Sequence, residues 1–269
     1  MSLRVLLAAC LFLCAPLERA FARVVTVGLY PSYPPLDMRD PATDRLMGFD
    51  VDLSQALLQR MGMERQIAET SFAQLIPSLT TGRIQMFFNG MMDTPARRGS
   101  IAFVDYLRSG VRFLVLADDP HSPAALTGLC GRPVAASRIT SEPAQLIDWS
   151  DRFCVARGLP PVVLFAAENS ADARLQMMEG RVAATLQDSL TAPWIIGLNH
   201  GRFRALGEAF NMTPLGIGLA KDDPALVCKT GAALDALRAE GVYAALIRKW
   251  GLPPDSAVPA SAGVSSCPP

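Results

Sequence analysis

Two charged side chains stand where a predicted element meets a turn. Arg97 lies just inside a helix that Thr94 and Pro95 are expected to begin, since a hydroxyl caps helices and proline suits their first turn. Asp188 follows the apolar run 182–186, a predicted strand, and is expected to begin the next helix. A guanidinium can bind a carboxylate through two parallel N–H groups, and a carboxylate can bind an ammonium group. Together the two could hold both ends of a small zwitterion.

Each of these residues also has an ordinary structural explanation. Most arginines are solvated surface residues, and aspartate often caps a helix. The chemistry therefore depends on whether the fold brings Arg97 and Asp188 to one cavity.

The sequence alternates predicted strands and helices, which indicates parallel sheet covered by helices. The predicted strands cover residues 24–29, 65–69, 84–88, 111–117, 133–136, 162–165, 182–186 and 217–220. The predicted helices cover residues 50–61, 71–80, 141–153, 171–179, 224–240 with a break near Thr230, and 242–250. Open sheets of this kind bind ligands beyond the carboxyl ends of their strands, where Asp188 lies.

The N-terminus predicts an export signal. Arg4 precedes an apolar run, and the small residues Ala20 and Ala22 predict cleavage after residue 22. A lipoprotein signal ending at Cys10 is the less favoured alternative. Residues 1–22 are therefore predicted to be a signal peptide, and the rest to be periplasmic.

Four cysteines remain after that cleavage: Cys130, Cys154, Cys228 and Cys267. They allow three pairings, and an exported protein is expected to oxidise them. A helix runs back toward the start of its strand, which places Cys130 and Cys154 at the same end of the layer and favours their pairing. Cys228 would then bind Cys267 and hold the Pro/Ser/Ala-rich tail, 251–269, which is expected to be irregular.

Composition excludes some classes of function. Lys and Arg together number 25, as do Asp and Glu, so the basic excess of a nucleic-acid-binding protein is missing. Only His121 and His200 are histidines, and no spacing resembles a metal site or a nucleophile–histidine pair. No cofactor and no metal are expected.

Several motifs follow one another in a recognisable order. They are Tyr33-Pro34-Pro35-Leu36, the run from Gly48 to Leu53, the run from Phe72 to Leu79, Gly82-Arg83-Ile84, Asn89-Gly90-Met91, the run from Thr94 to Arg98, the run from Phe103 to Leu107, the run from Glu179 to Val182, and Gln187-Asp188. The ordered set, over residues 23–250, resembles the polar amino-acid-binding proteins of periplasmic solute-binding family 3.

The resemblance implies a two-lobed α/β fold of the type II periplasmic-binding class. Lobe one would comprise residues 23–109 and 213–250, and lobe two residues 110–212, joined by two crossing segments. The implied function is capture of an amino acid by hinge closure and delivery to the membrane permease of an ABC importer. A monomer is expected.

The resemblance also assigns roles to eleven residues. Arg97 would bind the ligand carboxylate and Asp188 its ammonium, and both are needed because an unpaired buried charge is costly. Aromatic faces would enclose the ligand side chain, and further polar groups would hydrogen-bond the ligand. The remaining nine residues are Tyr30, Tyr33, Phe72, Asn89, Gly90, Met92, Thr140, Ser141 and Glu142.

Three of these depart from the family pattern. Tyr30 stands where many relatives carry an acid that binds a cationic side chain, and Met92 where relatives often carry a hydroxyl. Glu142 stands where a neutral residue is common, and it would favour a cationic group if it faces the cleft. The side-chain specificity is therefore open.

Two other functions use this architecture. One is a periplasmic cyclohexadienyl dehydratase acting on prephenate or arogenate, for which Glu142 is the candidate general acid. The other is a ligand-sensing accessory protein that feeds no transporter. Both remain alternatives at the level of sequence.

Overall fold

The fold is that of a computed structural model that describes residues 23–259. Within that range the strands are β1 (Val24–Leu29), β2 (Met38–Arg39), β3 (Leu46–Met47), β4 (Glu64–Glu69), β5 (Met86–Phe87), β6 (Ala102–Leu116), β7 (Pro133–Ser137), β8 (Val163–Ala167), β9 (Ala184–Asp188) and β10 (Phe203–Leu219). The helices are α1 (Phe49–Arg60), α2 (Leu75–Thr80), α3 (Pro95–Arg98), α4 (Glu142–Phe153), α5 (Ser170–Met178), α6 (Ala192–Leu198), α7 (Pro224–Ala239) and α8 (Val242–Lys249).

Eight of these strands form one sheet in the order β4-β1-β5-β10-β6-β9-β7-β8. β1 pairs in parallel with β4 and β5, and β7 pairs in parallel with β8 and β9. The antiparallel strands β6 and β10 lie between these two groups. The predicted mixture of parallel strands and covering helices is therefore confirmed.

Several hydrophobic cores pack against the sheet, and two of them define its two halves. The first contains Leu53 of α1 and Tyr106 of β6, and the second contains Phe113 of β6 and Trp149 of α4. We call the parts around them the first lobe and the second lobe. β6 and β10 run through both, and their pairing shifts register between Leu206 and Phe210 and again before Thr213. The predicted boundaries near 109–110 and 212–213 fall within these strands and stay a prediction.

Both crossing strands are longer than predicted. The sequence predicted strands only at 111–117 and 217–220, because Ser109, Gly110, Gly207 and Pro214 suggest breaks. β10 accommodates Gly207 in the irregular stretch after Leu206, where the pairing is interrupted, and Pro214 pairs with Arg108 in a short run between two register shifts.

Two other local predictions were wrong. α7 continues through Thr230 and Gly231 without the predicted break, because both residues are buried and packing outweighs their low helix propensity. Asp188 does not begin a helix: it ends β9, and the next helix, α6, begins only at Ala192.

The predicted disulfide between Cys130 and Cys154 is confirmed, with Cα atoms 5.7 Å apart. It closes the end of the second lobe where β7 begins and α4 ends. The other predicted pair includes Cys267, which lies outside the described residues, so that pairing stays a prediction.

The described part of the tail packs against the first lobe. Ala257 forms an isolated bridge with Leu107, and the Arg108 guanidinium donates to the Asp255 carbonyl at 2.6 Å. Across residues 23–259, every helix is too short or too polar to cross a membrane.

Candidate functional site

A cleft of about 530 Å³ lies between the two lobes. Its size is within the range of small-molecule sites. All eleven residues predicted for the ligand site line it: Tyr30, Tyr33, Phe72, Asn89, Gly90, Met92, Arg97, Thr140, Ser141, Glu142 and Asp188. The fold thus brings the predicted set together, although their roles toward a ligand stay predictions.

Arg97 lines the first-lobe wall. Thr94 caps α3 and accepts the Arg97 backbone N–H, and the guanidinium donates to the Met92 carbonyl at 2.8 Å. No carboxylate within the described residues lies within 4.0 Å of this guanidinium, and burial lowers its pKa. Several charged N–H donors therefore remain for a ligand.

Asp188 lines the second-lobe wall and is almost fully buried. Its Oδ1 accepts the backbone N–H groups of Leu190 and Thr191 at 2.8 and 3.2 Å, and its Oδ2 accepts the Ser109 hydroxyl. Burial raises the pKa of Asp188, whereas these hydrogen bonds and that from Tyr33 oppose the rise. The three donors other than Tyr33 leave about one lone-pair site on the carboxylate, and the Tyr33 hydroxyl approaches it.

Aromatic side chains from the first lobe form an apolar wall. Tyr33 also reaches across the cleft toward Asp188. Burial and Asp188 raise the pKa of its hydroxyl, which therefore stays protonated and can donate to Asp188. A Cβ on Gly90 would lie 2.3 Å from the Tyr33 ring, so only glycine permits this ring position. The Gly90 N–H itself is used by the Tyr106 hydroxyl. Phe72 is half-buried and packs partly against the core beneath it.

Met92 and Ser141 join the two lobes across the cleft. The Ser141 hydroxyl donates to the Met92 sulfur at 3.1 Å, and the Gln145 amide lies 3.9 Å from the same atom. Thr140 donates to the Ser137 carbonyl at 2.9 Å and accepts the Glu142 N–H. Met92 thus fills the position of the usual hydroxyl with a sulfur that contacts the opposite lobe.

Glu142 is buried at the start of α4 and faces the cleft. Its Oε2 accepts the Ser137 backbone N–H at 3.0 Å. Burial and the nearby Asp188 raise the pKa of Glu142 to about 8, although the hydrogen bond from Ser137 and the charge of Arg174 oppose the shift. At neutral pH this side chain is therefore mostly an uncharged acid and a hydrogen-bond donor.

Sequence reasoning missed Arg174 and Trp194, both of which line the second-lobe wall. The Arg174 guanidinium donates to Gln187 Oε1 at 3.0 Å. Trp194 belongs to α6, whose bounds were not predicted, and Arg174 had no local signal because its partner lies thirteen residues further along the chain. Within residues 23–259 no cluster of three or more His, Cys, Asp or Glu side chains could hold a metal ion.

A buried pair of acids lies behind Asn89. Asp37 and Asp50 are both fully buried, and their carboxyl groups are within hydrogen-bonding reach of each other. Asn89 donates to Asp37 at 2.8 Å, and the Tyr106 hydroxyl donates to Asp50 at 2.9 Å. Burial raises the pKa of both acids, that of Asp50 to about 7, so the pair keeps a proton near neutrality.

We expect Asp50→Asn to flatten the pH dependence of folding stability. Because the folded pair has a raised pKa, between about pH 4 and 7 the folded state holds a proton that unfolded aspartates have released. The contribution of this proton to folding stability is fully present below the pKa of the unfolded aspartates, and it is lost as the pH rises through 7. Between pH 5 and 8 wild type should therefore lose about 2 kcal/mol more than Asp50→Asn.

Urea unfolding at pH 5 and pH 8 measures this difference. Asp44→Asn is the matched control, because Asp44 is exposed and pairs with Arg39 rather than with either buried acid. If Asp50→Asn keeps the wild-type loss between the two pH values, the shared proton is not held by this pair.

The cleft lies between two α/β lobes, and each lobe contributes one charged side chain to it, a cation from the first and an anion from the second. This arrangement defines a two-lobed ligand-binding protein. The model of one family, bacterial extracellular solute-binding proteins, family 3, matches residues 25–253. The chain belongs to that family, as its motifs indicated.

This chain is similar to known binding proteins both in sequence and in fold. The chain is 27% identical to the arginine-binding protein ArgT of Corynebacterium glutamicum, over 85% of this chain and 74% of that protein. It is 26% identical to the histidine-binding periplasmic protein of Salmonella typhimurium, over 86% and 90%. A solved ancestral arginine-binding protein bound to arginine is 26% identical and matches with a TM-score of 0.71, over 84% and 97%.

The dehydratase alternative finds no support among these proteins. A solved structure related to that activity is AncCDT-1, an ancestral amino-acid-binding protein and a precursor of cyclohexadienyl dehydratase. It is 26% identical, with a TM-score of 0.69 over 84% of this chain and 95% of that one. The curated relatives are named as binding proteins. These comparisons support a binding protein rather than a dehydratase.

Proposed function

We propose that this chain captures a free amino acid in the periplasm and delivers it to the permease of an ABC importer. The observation that carries the proposal is the pairing of charges across one cleft: Arg97 faces it from the first lobe without a carboxylate partner, and Asp188 faces it from the second. The names of the relatives, arginine- and histidine-binding proteins, support an amino-acid ligand.

The ligand carboxylate would bind the free N–H groups of Arg97. Its ammonium would bind Asp188 at the position that the Tyr33 hydroxyl now approaches, since three donors already occupy the carboxylate. Tyr33 and Phe72 would enclose the side chain. A ligand held by both lobes stabilises the closed form by its differential affinity, which is the physical basis of hinge closure.

The protein is proposed to act as an exported monomer, with cleavage after residue 22 and without a nucleic-acid partner. Its small-molecule ligand and the permease are then the partners that function requires.

A thermal-shift screen of the free amino acids followed by small-angle scattering tests the proposal. We expect at least one amino acid to bind with a Kd of about 1 µM or tighter, a typical affinity for a site that pairs both charges. That ligand should also reduce the radius of gyration. Absence of any amino-acid ligand would reject the function, and unchanged scattering with a saturating ligand would reject hinge closure.

A further inference from the structure

The cleft holds one guanidinium more than a simple amino acid needs. Arg174 of α5 lines the second-lobe wall and is half-buried, with one hydrogen bond, to Gln187. None of the described carboxylates lies within 4.0 Å of it. A guanidinium has five N–H donors, so most of those on Arg174 have no protein acceptor in the described chain.

Glu142 does not neutralise Arg174. The two are close enough to influence each other electrostatically, but they form no ion pair within 4.0 Å. Burial keeps Glu142 mostly protonated at neutral pH. Of the charged groups lining the described cleft, two guanidinium groups therefore face one carboxylate, that of Asp188.

The charge of the ligand decides how well this cleft can close. A neutral zwitterion pairs with Arg97 and Asp188 and leaves the Arg174 charge uncompensated as water is expelled, which is costly. A basic amino acid adds a further cation. A ligand with an ammonium group and two acidic groups gives every charge a partner.

We propose that the ligand is an amino acid carrying a second acidic group, and that Arg174 binds this group as a specificity-determining residue. The assignment rests on the proposed function, because it takes Arg97 and Asp188 as the partners of the amino-acid backbone. It separates this chain from relatives named as arginine- and histidine-binding proteins. The planar fork of a guanidinium suits a carboxylate, which it can bind through two parallel hydrogen bonds.

The test compares each acid with its uncharged amide. Isothermal titration measures Kd for aspartate, glutamate and 2-aminoadipate, for asparagine and glutamine, and for arginine and histidine. We expect the best acid to bind at least about 10-fold more tightly than its amide and than either basic amino acid.

Arg174→Gln identifies the residue responsible. We expect this variant to weaken binding of the acid by about 30-fold or more while changing binding of the amide by less than about 3-fold. Arg181→Gln is the matched control, because Arg181 is exposed in the same lobe and pairs with Glu179. It should leave both affinities unchanged.

The outcomes separate the two proposals. If a neutral or basic amino acid binds more tightly than every acid, the acidic-ligand inference fails and the amino-acid function stands. If Arg174→Gln weakens acid and amide equally, Arg174 is not the specificity residue. If no amino acid binds, both proposals fail.

Discussion

Arg97→Met is expected to abolish high-affinity ligand binding while leaving the fold intact. The variant removes the charged partner of the ligand carboxylate, and truncating one member of a buried charge pair costs about 2–5 kcal/mol. The affinity should therefore fall by about 100-fold or more. The folded protein loses one hydrogen bond, from the guanidinium to the Met92 carbonyl, which contributes about 1 kcal/mol.

Titration of the best ligand into wild type, Arg97→Met and Arg97→Lys measures the effect. Lysine keeps the charge but not the planar fork, so Arg97→Lys should bind with an intermediate affinity. Arg83→Met is the matched control, because Arg83 is exposed outside the cleft. Unchanged affinity in Arg97→Met would mean that the carboxylate binds elsewhere, and Arg174 would be the first residue to examine.

Gly48→Ala is expected to cause the largest loss of stability from a single methyl group. Gly48 precedes α1 with φ 138°, and a Cβ there would lie 2.0 Å from the Leu36 carbonyl oxygen. That oxygen also accepts the Asp50 N–H at 3.0 Å, so it cannot move away freely. Backbone strain and the clash together should cost more than about 4 kcal/mol.

Urea unfolding of Gly48→Ala and Gly62→Ala checks this prediction. Gly62 also has a positive φ, 69°, but a Cβ there would meet no atom within 4 Å. Gly62→Ala should therefore cost only about 1 kcal/mol, the price of the backbone conformation. Equal losses in the two variants would show that crowding against Leu36 contributes nothing.

Local sequence patterns predicted the short elements that surround the site. β1 has the predicted bounds, α4 begins one residue later than predicted, and Thr94 caps α3 as its hydroxyl indicated. These elements carry their own signals, namely apolar runs and capping residues, so their existence does not depend on distant partners.

The crossing strands could not be predicted in the same way. Asp105 and Ser109 are buried within β6, where their polarity suggests a loop. Distant groups act on both side chains: the charges of Arg98 and Arg238 act on the Asp105 carboxyl, and Asp188 accepts the Ser109 hydroxyl. Contacts between residues so far apart in the sequence cannot be predicted from a short segment.

The residues of the candidate site also differ in whether the local sequence predicts them. Arg97 and Asp188 stand beside helix-start and strand-end signals that ordered motifs reinforce. Arg174 stands within a helix where an exposed arginine is the usual expectation, and only the three-dimensional arrangement turns it toward the cleft. A specificity residue of this kind is recognised in the structure because its charged group lacks a protein partner, and the neighbouring sequence gives no such signal.

The two lobes are connected by hydrogen-bonded strands rather than by free linkers. A change in the angle between the lobes must therefore bend the paired strands β6 and β10. These strands resist bending and so favour one angle between the lobes. The irregular pairing between Leu206 and Thr213 softens the paired strands at one place. In the proposed hinge closure, part of the free energy of ligand binding would therefore be used to bend these two strands.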